Sequence, residues 1–366
     1  MKIAQIAPLF ESVPPKLYGG TERVVSSLVE ELVAEGHEVT LYASGDSETN
    51  AELVPLTDQA LRLQGDKIRD PLAHHVRALE TVFRDAGRFD VLHFHLDYLH
   101  FPVLRRYPCR ALTTQHGRLD LPDLAPLFRD YADMPLVSIS NSQREPLPWV
   151  NWIGTVYHGL PTSAFRPNYK SGDYLVFLGR ICPEKRVDRA IDIAKSTGLP
   201  LKIAAKVDNT DRDYFEAEIK SRLDEQLVEF VGETDDRGKE QLLRNARALL
   251  FPIDWPEPFG LVMIEALACG TPVVAFRNGS TPEVITDGKT GFLVNTLEEA
   301  ATAVNRIDAL SREACRAEFE ERFSATRMAT DYLALYRRLF EMPKETAEPA
   351  PIKPLPAPHI RSGHFS

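Results

Sequence analysis

The sequence lacks any apolar run approaching the ~20 residues a helix needs to cross a bilayer. It also lacks a Cys-x-x-Cys pair and an excess of positive charge. The first absence argues against a helical membrane span. The opening MKIAQIAPLFE holds too short an apolar stretch for a secretory signal and reads as a buried strand. Cys109, Cys182, Cys269 and Cys315 stand far apart, which disfavours a thiolate zinc site and suits a reducing compartment. The cytoplasm is therefore expected, or a peripheral position at the inner face of the membrane. With a net charge of −10, the chain lacks the basic face that nucleic acid usually requires. The same charge weakens docking on anionic lipid. No repeat of solenoid length is visible. The G-x-G-x-x-G of dinucleotide binding is missing after the first strand.

What remains is an alternation of strand-like and helix-like segments in a chain of 366 residues, too long for one ordinary core. KIAQIAP, HEVTLYA, FDVLHFH, ALTTQH and PLVSISN read as buried strands of a first unit. Between the first two lies ERVVSSLVEELVAEG, with Val24, Val25, Leu28, Val29, Leu32 and Val33 at helical spacing. Around Thr162 to Asp173 the pattern lapses into polar and turn-forming residues, as in a linker. It restarts with YLVFLG, a helix over KRVDRAIDIAKSTG, and strands LKIAA, VEFVG, ALLFP, TPVVAF and GFLV. Such alternation predicts an α/β fold of two Rossmann-like domains facing across a central cleft. We place them at 1–162 and 163–325. A helix at 326–342 needs a surface to cover, and the proline-rich 343–366 reads as a disordered or extended tail.

Three places are candidates for chemistry. Gly19-Gly20 immediately precede the first helix, where backbone N–H groups would meet a phosphate, although a flexible turn explains them too. Arg180 and Lys185 follow the strand YLVFLG, at the carboxyl edge where open α/β sheets bind ligands. An arginine fork and a lysine point charge suit a diphosphate, and solvation is the plainer alternative. The third is WPEPFGLVMIEALACG. Glu257 stands in its loop, Phe259-Gly260-Leu261 open a helix, and Glu265 sits on that otherwise apolar helix. A carboxylate there needs a partner, either ligand hydroxyls or an internal arginine.

Together these stretches resemble retaining GT-B glycosyltransferases of family four, the nucleotide-sugar-dependent group 1 transferases. EPFGLVMIEALACGTPVVA, GRICPEKRVDRAI and YGGTERVVSSLVEELVAEGHEVTLYA carry the likeness. FDVLHFH, TTQHG, SISNS and HGLP follow in order, so the match spans roughly residues 1 to 340. The resemblance implies a C-terminal helix crossing back to the first domain. It implies that Arg180 and Lys185 hold the donor diphosphate, with Gly19, Gly20 and the Leu261 N–H. Glu257, Phe259 and Gly260 would hold the donor sugar, and Glu265 the ribose. His116 would sit near the reacting carbon, and Val231–Asp236 would border the nucleobase. It implies transfer of a hexose from a UDP-glucose or GDP-mannose type donor to a hydroxyl of a sugar, glycolipid or small molecule. Neither metal nor cofactor is expected, and the leaving diphosphate would take the acceptor proton on the same face. Epimerases, phosphorylases and sucrose-synthase-like enzymes of related architecture are the alternatives, with a non-catalytic binder behind them.

Other residues keep two readings. Asp211-Arg212-Asp213 has the form of a metal-chelating D-x-D but opens a polar helix, where capping or solvation suffices. His93, His95, Asp97 and His100 are either cleft hydrogen-bonding groups or metal ligands, with a core position as a further reading of His93. Arg105, Arg106, Arg110 and Arg118 form a basic stretch, by default a solvated face and otherwise an attractor for an anionic acceptor or membrane surface. His158 occupies a position where the family often has asparagine, and its role stays open, as do oligomeric state and acceptor identity.

Overall fold

The computed structural model describes residues 1–16, 19–107, 109–224 and 226–341. Met342 and the tail 343–366 lie outside the described residues. Short, continuously apolar runs become strands buried on both faces, as parallel sheets covered by helices require. The first sheet holds β1 (Lys2–Ile6), β2 (Glu38–Ser44), β3 (Glu52–Thr57), β4 (Val91–Phe94), β5 (Ala111–Thr114), β6 (Leu136–Ser138) and β7 (Trp152–Thr155). All its pairings are parallel, in the order β3-β2-β1-β4-β5-β6-β7. The second holds β8 (Leu175–Arg180), β9 (Leu201–Lys206), β10 (Val228–Phe230), β11 (Ala248–Phe251), β12 (Val273–Phe276) and β13 (Gly291–Val294). Its order is β10-β9-β8-β11-β12-β13, again parallel. In each sheet the winding reverses at one point, between β1 and β4 and between β8 and β11. Those switch points open crevices beyond the carboxyl ends of the strands.

The helix Gly20–Ala34 buries Val24, Val25, Leu28, Val29 and Leu32 against the first sheet. Each such side chain contributes ~1.5–3 kcal/mol. The C-terminal helix Ala325–Glu341 joins the same cluster through Met328, Ala329, Tyr332, Leu333 and Tyr336, so the last described helix packs on the domain where the chain begins. The crossing is an isolated parallel bridge between Leu160 and Ser324. Leu160 N donates to Phe323 O at 3.0 Å, and Ala325 N to Leu160 O at 2.9 Å. The stretch expected as linker instead packs on the second domain. Phe165 is buried in that core, and Arg166 Nε meets Glu240 at 2.8 Å.

Two polar clasps bridge the domains away from this crossing. Glu283 of the second domain accepts hydrogen bonds from the backbone N–H of Asn141 and Ser142 at 2.7 and 2.8 Å, and from the Tyr157 hydroxyl at 2.9 Å. Arg23 meets Asp236 at 2.6 Å.

Candidate active site

The two switch points face one cavity of about 430 Å³ between the domains. Its second-domain wall begins with the loop after β11. Glu257 N donates to Trp255 O at 2.8 Å, while Glu257 O accepts from Ser280 N at 3.0 Å. Ser280 Oγ donates to Phe259 O at 2.9 Å. The loop folds over Gly279, whose φ is +55° and where a Cβ would come 2.4 Å from Glu257 N. The Glu257 carboxylate so placed accepts a hydrogen bond from Lys185 Nζ. Lys185 is also 5.3 Å from the Trp255 ring and 5.5 Å from Phe251, a partly desolvated setting that strengthens its field.

Next comes the helix Leu261–Ala268, capped at its start by Gly260 in the left-handed region at φ +78°. A Cβ there would meet Met263 Cε at 2.8 Å and Phe251 at 3.0 Å. No side chain caps this helix, so its first N–H groups are left for a ligand. The helix Gly20–Ala34 likewise starts uncapped on the opposite wall. A Cβ on Gly20 would lie 3.4 Å from Leu261 Cδ1, so the two helix starts are near neighbours. Both direct positive dipole ends at one space, each favouring an anion by ~0.3–1 kcal/mol.

Glu265 lies one turn deeper, 4% exposed, and accepts a hydrogen bond at Oε1 from Lys239 Nζ. Lys239 belongs to the helix Asp236–Arg244, whose first residue is the partner of Arg23. An ionised carboxylate has about four acceptor sites. Glu265 thus keeps capacity for ligand hydroxyls while its charge is compensated. Glu233, Thr234 and Asp236 line the same end of the cavity.

On the first-domain wall His116 is bracketed by other rings. It stacks on His158 at 5.3 Å, and His158 in turn meets Phe259 at 4.9 Å. Its Nε2 is 2.8 Å from His95 Nδ1, while its buried Nδ1 has no partner among the described residues. Burial holds the His116 imidazole down at a pKa of about 3 and His158 well below its usual value. Both rings are therefore neutral near pH 7, able to position a hydroxyl and poor stores of a proton.

Two family models match this architecture domain by domain. "Glycosyl transferases group 1" matches residues 163–326 and "Glycosyltransferase Family 4" residues 18–153. The chain belongs to the group 1 glycosyltransferases. A 41.2 kDa protein of the cps region of Klebsiella pneumoniae is 30% identical over 170 residues, 44% of this chain and 46% of that one. The phosphatidyl-myo-inositol mannosyltransferase of Mycobacterium leprae is 25% identical over 92% of this chain and 96% of its own length. In fold, the Anabaena protein HepE crystallised with UDP-glucose superposes with a TM-score of 0.71 at 17% identity, covering 93% of this chain and all of that one.

In this glycosyltransferase the cavity gathers Gly19, Gly20, His116, Lys185, Glu257, Phe259, Gly260, Leu261 and Glu265 of the expected residues. Arg180 is not among its lining residues. Its guanidinium faces Asp208 at 3.9 Å and Asp211 at 3.6 Å, while the backbone beside it, at Gly179, forms the wall. Asp211 of the D-x-D is thus turned to a cation. His93 and His95 have both ring nitrogens in hydrogen bonds, to Tyr336, Thr114, His116 and Gln5, which leaves neither a lone pair free for a metal. Of the basic stretch, Arg105 pairs with Asp133 and Arg118 grips Asp120 through two 2.7 Å bonds. Sequence reasoning missed Arg23, Lys206 and Lys239 as cavity cations. Lys239 stands in a polar helix, where a lysine reads as solvated, and no local pattern ties it to Glu265.

Proposed function

We propose that the chain is a retaining hexosyltransferase that moves one hexose from a UDP-glucose or GDP-mannose type donor to a hydroxyl acceptor. One observation carries the reading. A lysine–carboxylate pair at each end of the cavity, Lys185–Glu257 and Lys239–Glu265, flanks the uncapped start of the helix Leu261–Ala268. The diphosphate would lie on Lys185 and the helix N–H groups. Glu257 would turn from Lys185 to the sugar hydroxyls, and Glu265 would hold the ribose. Breaking the sugar–phosphate bond builds negative charge on the departing diphosphate. Fixed positive groups there stabilise the transition state more than the ground state. The cavity carboxylates Glu257 and Glu265 are engaged with lysines, and same-face transfer with the diphosphate as base is the course that the family resemblance implies. Metal plays no part in this scheme. Arg180 would join the diphosphate once it exchanges Asp208 and Asp211 for it.

The glucose and mannose readings draw on relatives, HepE with UDP-glucose and the mannosyltransferase. A thermal-shift screen of UDP, GDP, ADP and their sugars decides between them. Ligand at a hundred times its Kd adds ~2.7 kcal/mol of stability. One nucleotide should raise the Tm well above the others, and turnover of its sugar should persist in EDTA. No stabilisation by any nucleotide would remove the proposal.

A further inference from the structure

Behind His116 a chain of buried polar groups runs from the cleft to the C-terminal helix. His116 Nε2 is 2.8 Å from His95 Nδ1, and His95 Nε2 is 2.9 Å from Gln5 Oε1. Gln5 Nε2 donates to the Tyr336 hydroxyl at 2.9 Å. That hydroxyl is 2.8 Å from His93 Nδ1, and His93 Nε2 is 2.7 Å from Thr114 Oγ1. Gln5, His93 and Tyr336 are fully buried, and His95 is 2% exposed. Burial drives the pKa of both His93 and His95 well below the usual value, so each ring carries one proton and offers one lone pair.

With neutral rings the proton positions are not independent. An amide is the one member of this chain with a fixed donor end and a fixed acceptor end. Gln5 gives its N–H to Tyr336 and keeps its oxygen for His95, so His95 must carry its proton on Nε2. Its Nδ1 is then a lone pair, which His116 can meet only with Nε2–H. The remaining nitrogen, Nδ1, is then unprotonated; it is buried and without a partner among the described residues, in a residue that lines the cavity. Turning the Gln5 amide over would reverse every bond and present an N–H instead.

We propose that Gln5, two hydrogen bonds behind the cleft, is a positioning residue that fixes the tautomer of His116, so that His116 presents an unprotonated Nδ1 to a substrate hydroxyl. The hydroxyl then donates to His116 and turns its own lone pairs elsewhere. Which hydroxyl this is rests on the glycosyltransfer reading above, but the tautomer does not. Tyr336 makes the C-terminal helix part of the device, because its hydroxyl accepts from Gln5 and donates to His93.

Long-range proton–nitrogen NMR of histidine-labelled full chain reads the tautomer directly, without substrate. In the unsubstituted protein His116 should show a protonated Nε2 and a bare Nδ1; a protonated Nδ1 overturns the proposal. In Gln5→Leu the His116 signals should move towards a mixture of tautomers. Transfer kcat should fall about fivefold, the worth of one neutral hydrogen bond. The affinity for the nucleoside diphosphate, which the reading above places on Lys185, the Leu261 N–H and Glu265, should stay within about twofold on the same scale. An unchanged tautomer in Gln5→Leu overturns the proposal as well. Should that variant fail to fold, the spectrum of the unsubstituted protein still decides. A correct tautomer in a chain without transferase activity would sink the functional reading and leave this one standing.

Discussion

Lys185 and Glu265 belong to two ion pairs of the same kind, Lys185–Glu257 and Lys239–Glu265, on the wall of one cavity. Each lies in an ion pair shielded from water, with side chains at most 19% exposed. Lys185→Ala leaves Glu257 without its cation and removes one positive group from the place proposed for the departing diphosphate. Turnover should drop by roughly 3 kcal/mol in transition-state terms, about a hundredfold, with nucleotide affinity reduced less. Steady-state kinetics with the donor found by the thermal-shift screen checks this, and a change below tenfold would remove Lys185 from the leaving-group role. Glu265→Ala should do the opposite, weakening nucleotide binding by about 1.5–3 kcal/mol as read by calorimetry. Gly279 is a purely steric case. Alanine there adds a strained positive φ and a backbone clash with Glu257. The cost should exceed about 2 kcal/mol in urea unfolding, and a neutral substitution would show that the loop can move aside. The residues of this site that were legible in the sequence share a feature: Lys185 and Glu257 through Leu261 flank strand ends in unbroken local patterns. Lys239 and Arg23 were not legible, because only the packing of distant helices brings them to the cavity. Nor could any local pattern show Arg180 turned toward Asp208 and Asp211.

At the scale of elements, the central strands were legible because burial on both faces leaves near-continuous apolar runs. β3 and β7 escaped notice for the complementary reason. They are the two edges of the first sheet, half-exposed throughout and without a fully buried residue. β3 also carries Pro55, which edge strands tolerate and central ones do not. The C-terminal helix announced itself through tyrosines and leucines that needed cover, but the polar work of Tyr332 and Tyr336 did not. Thr114 Oγ1 lies 2.8 Å from the Tyr332 hydroxyl, so this helix packs on a hydrogen-bonded layer as well as an apolar one. That layer predicts a pH dependence. Burial lowers the pKa of His93, His95, His100, His116 and His158. Between the lowered values and the unfolded value of about 6.5, the unfolded chain binds more protons, so stability is full above 6.5 and is lost as pH falls. Glu22 runs the other way. Burial raises it to about 7, so its contribution is full below about 4.5 and fades as pH rises through 7. Burial also raises Glu11 and Asp97, with the sign of Glu22, and lowers His37 and His75, with the sign of the other rings. Seven lowered imidazoles outweigh three raised carboxyls, and the Tm should fall steadily from pH 6.5 to 5. A flat Tm over that range would mean that these rings are not held neutral.

For the whole molecule, the fold places two positive helix ends and two lysine–carboxylate pairs on one interdomain cavity. It holds the walls together by the paired crossing at Leu160 and Ala325 and by the Glu283 and Arg23 clasps. No helix among the described residues is long and apolar enough to cross a membrane. The division into two α/β units was legible from the restart of the strand–helix alternation. The place of the crossing was not, because the polar 162–173 resembles a linker yet hides Phe165 in the second core. The most direct test of the central claim is a crystal structure of the full chain with the nucleoside diphosphate that stabilises it most. The diphosphate should lie against Lys185 and the Leu261 N–H, with the ribose hydroxyls on Glu265. A nucleotide bound elsewhere, or one that leaves both lysine–carboxylate pairs untouched, would contradict that claim.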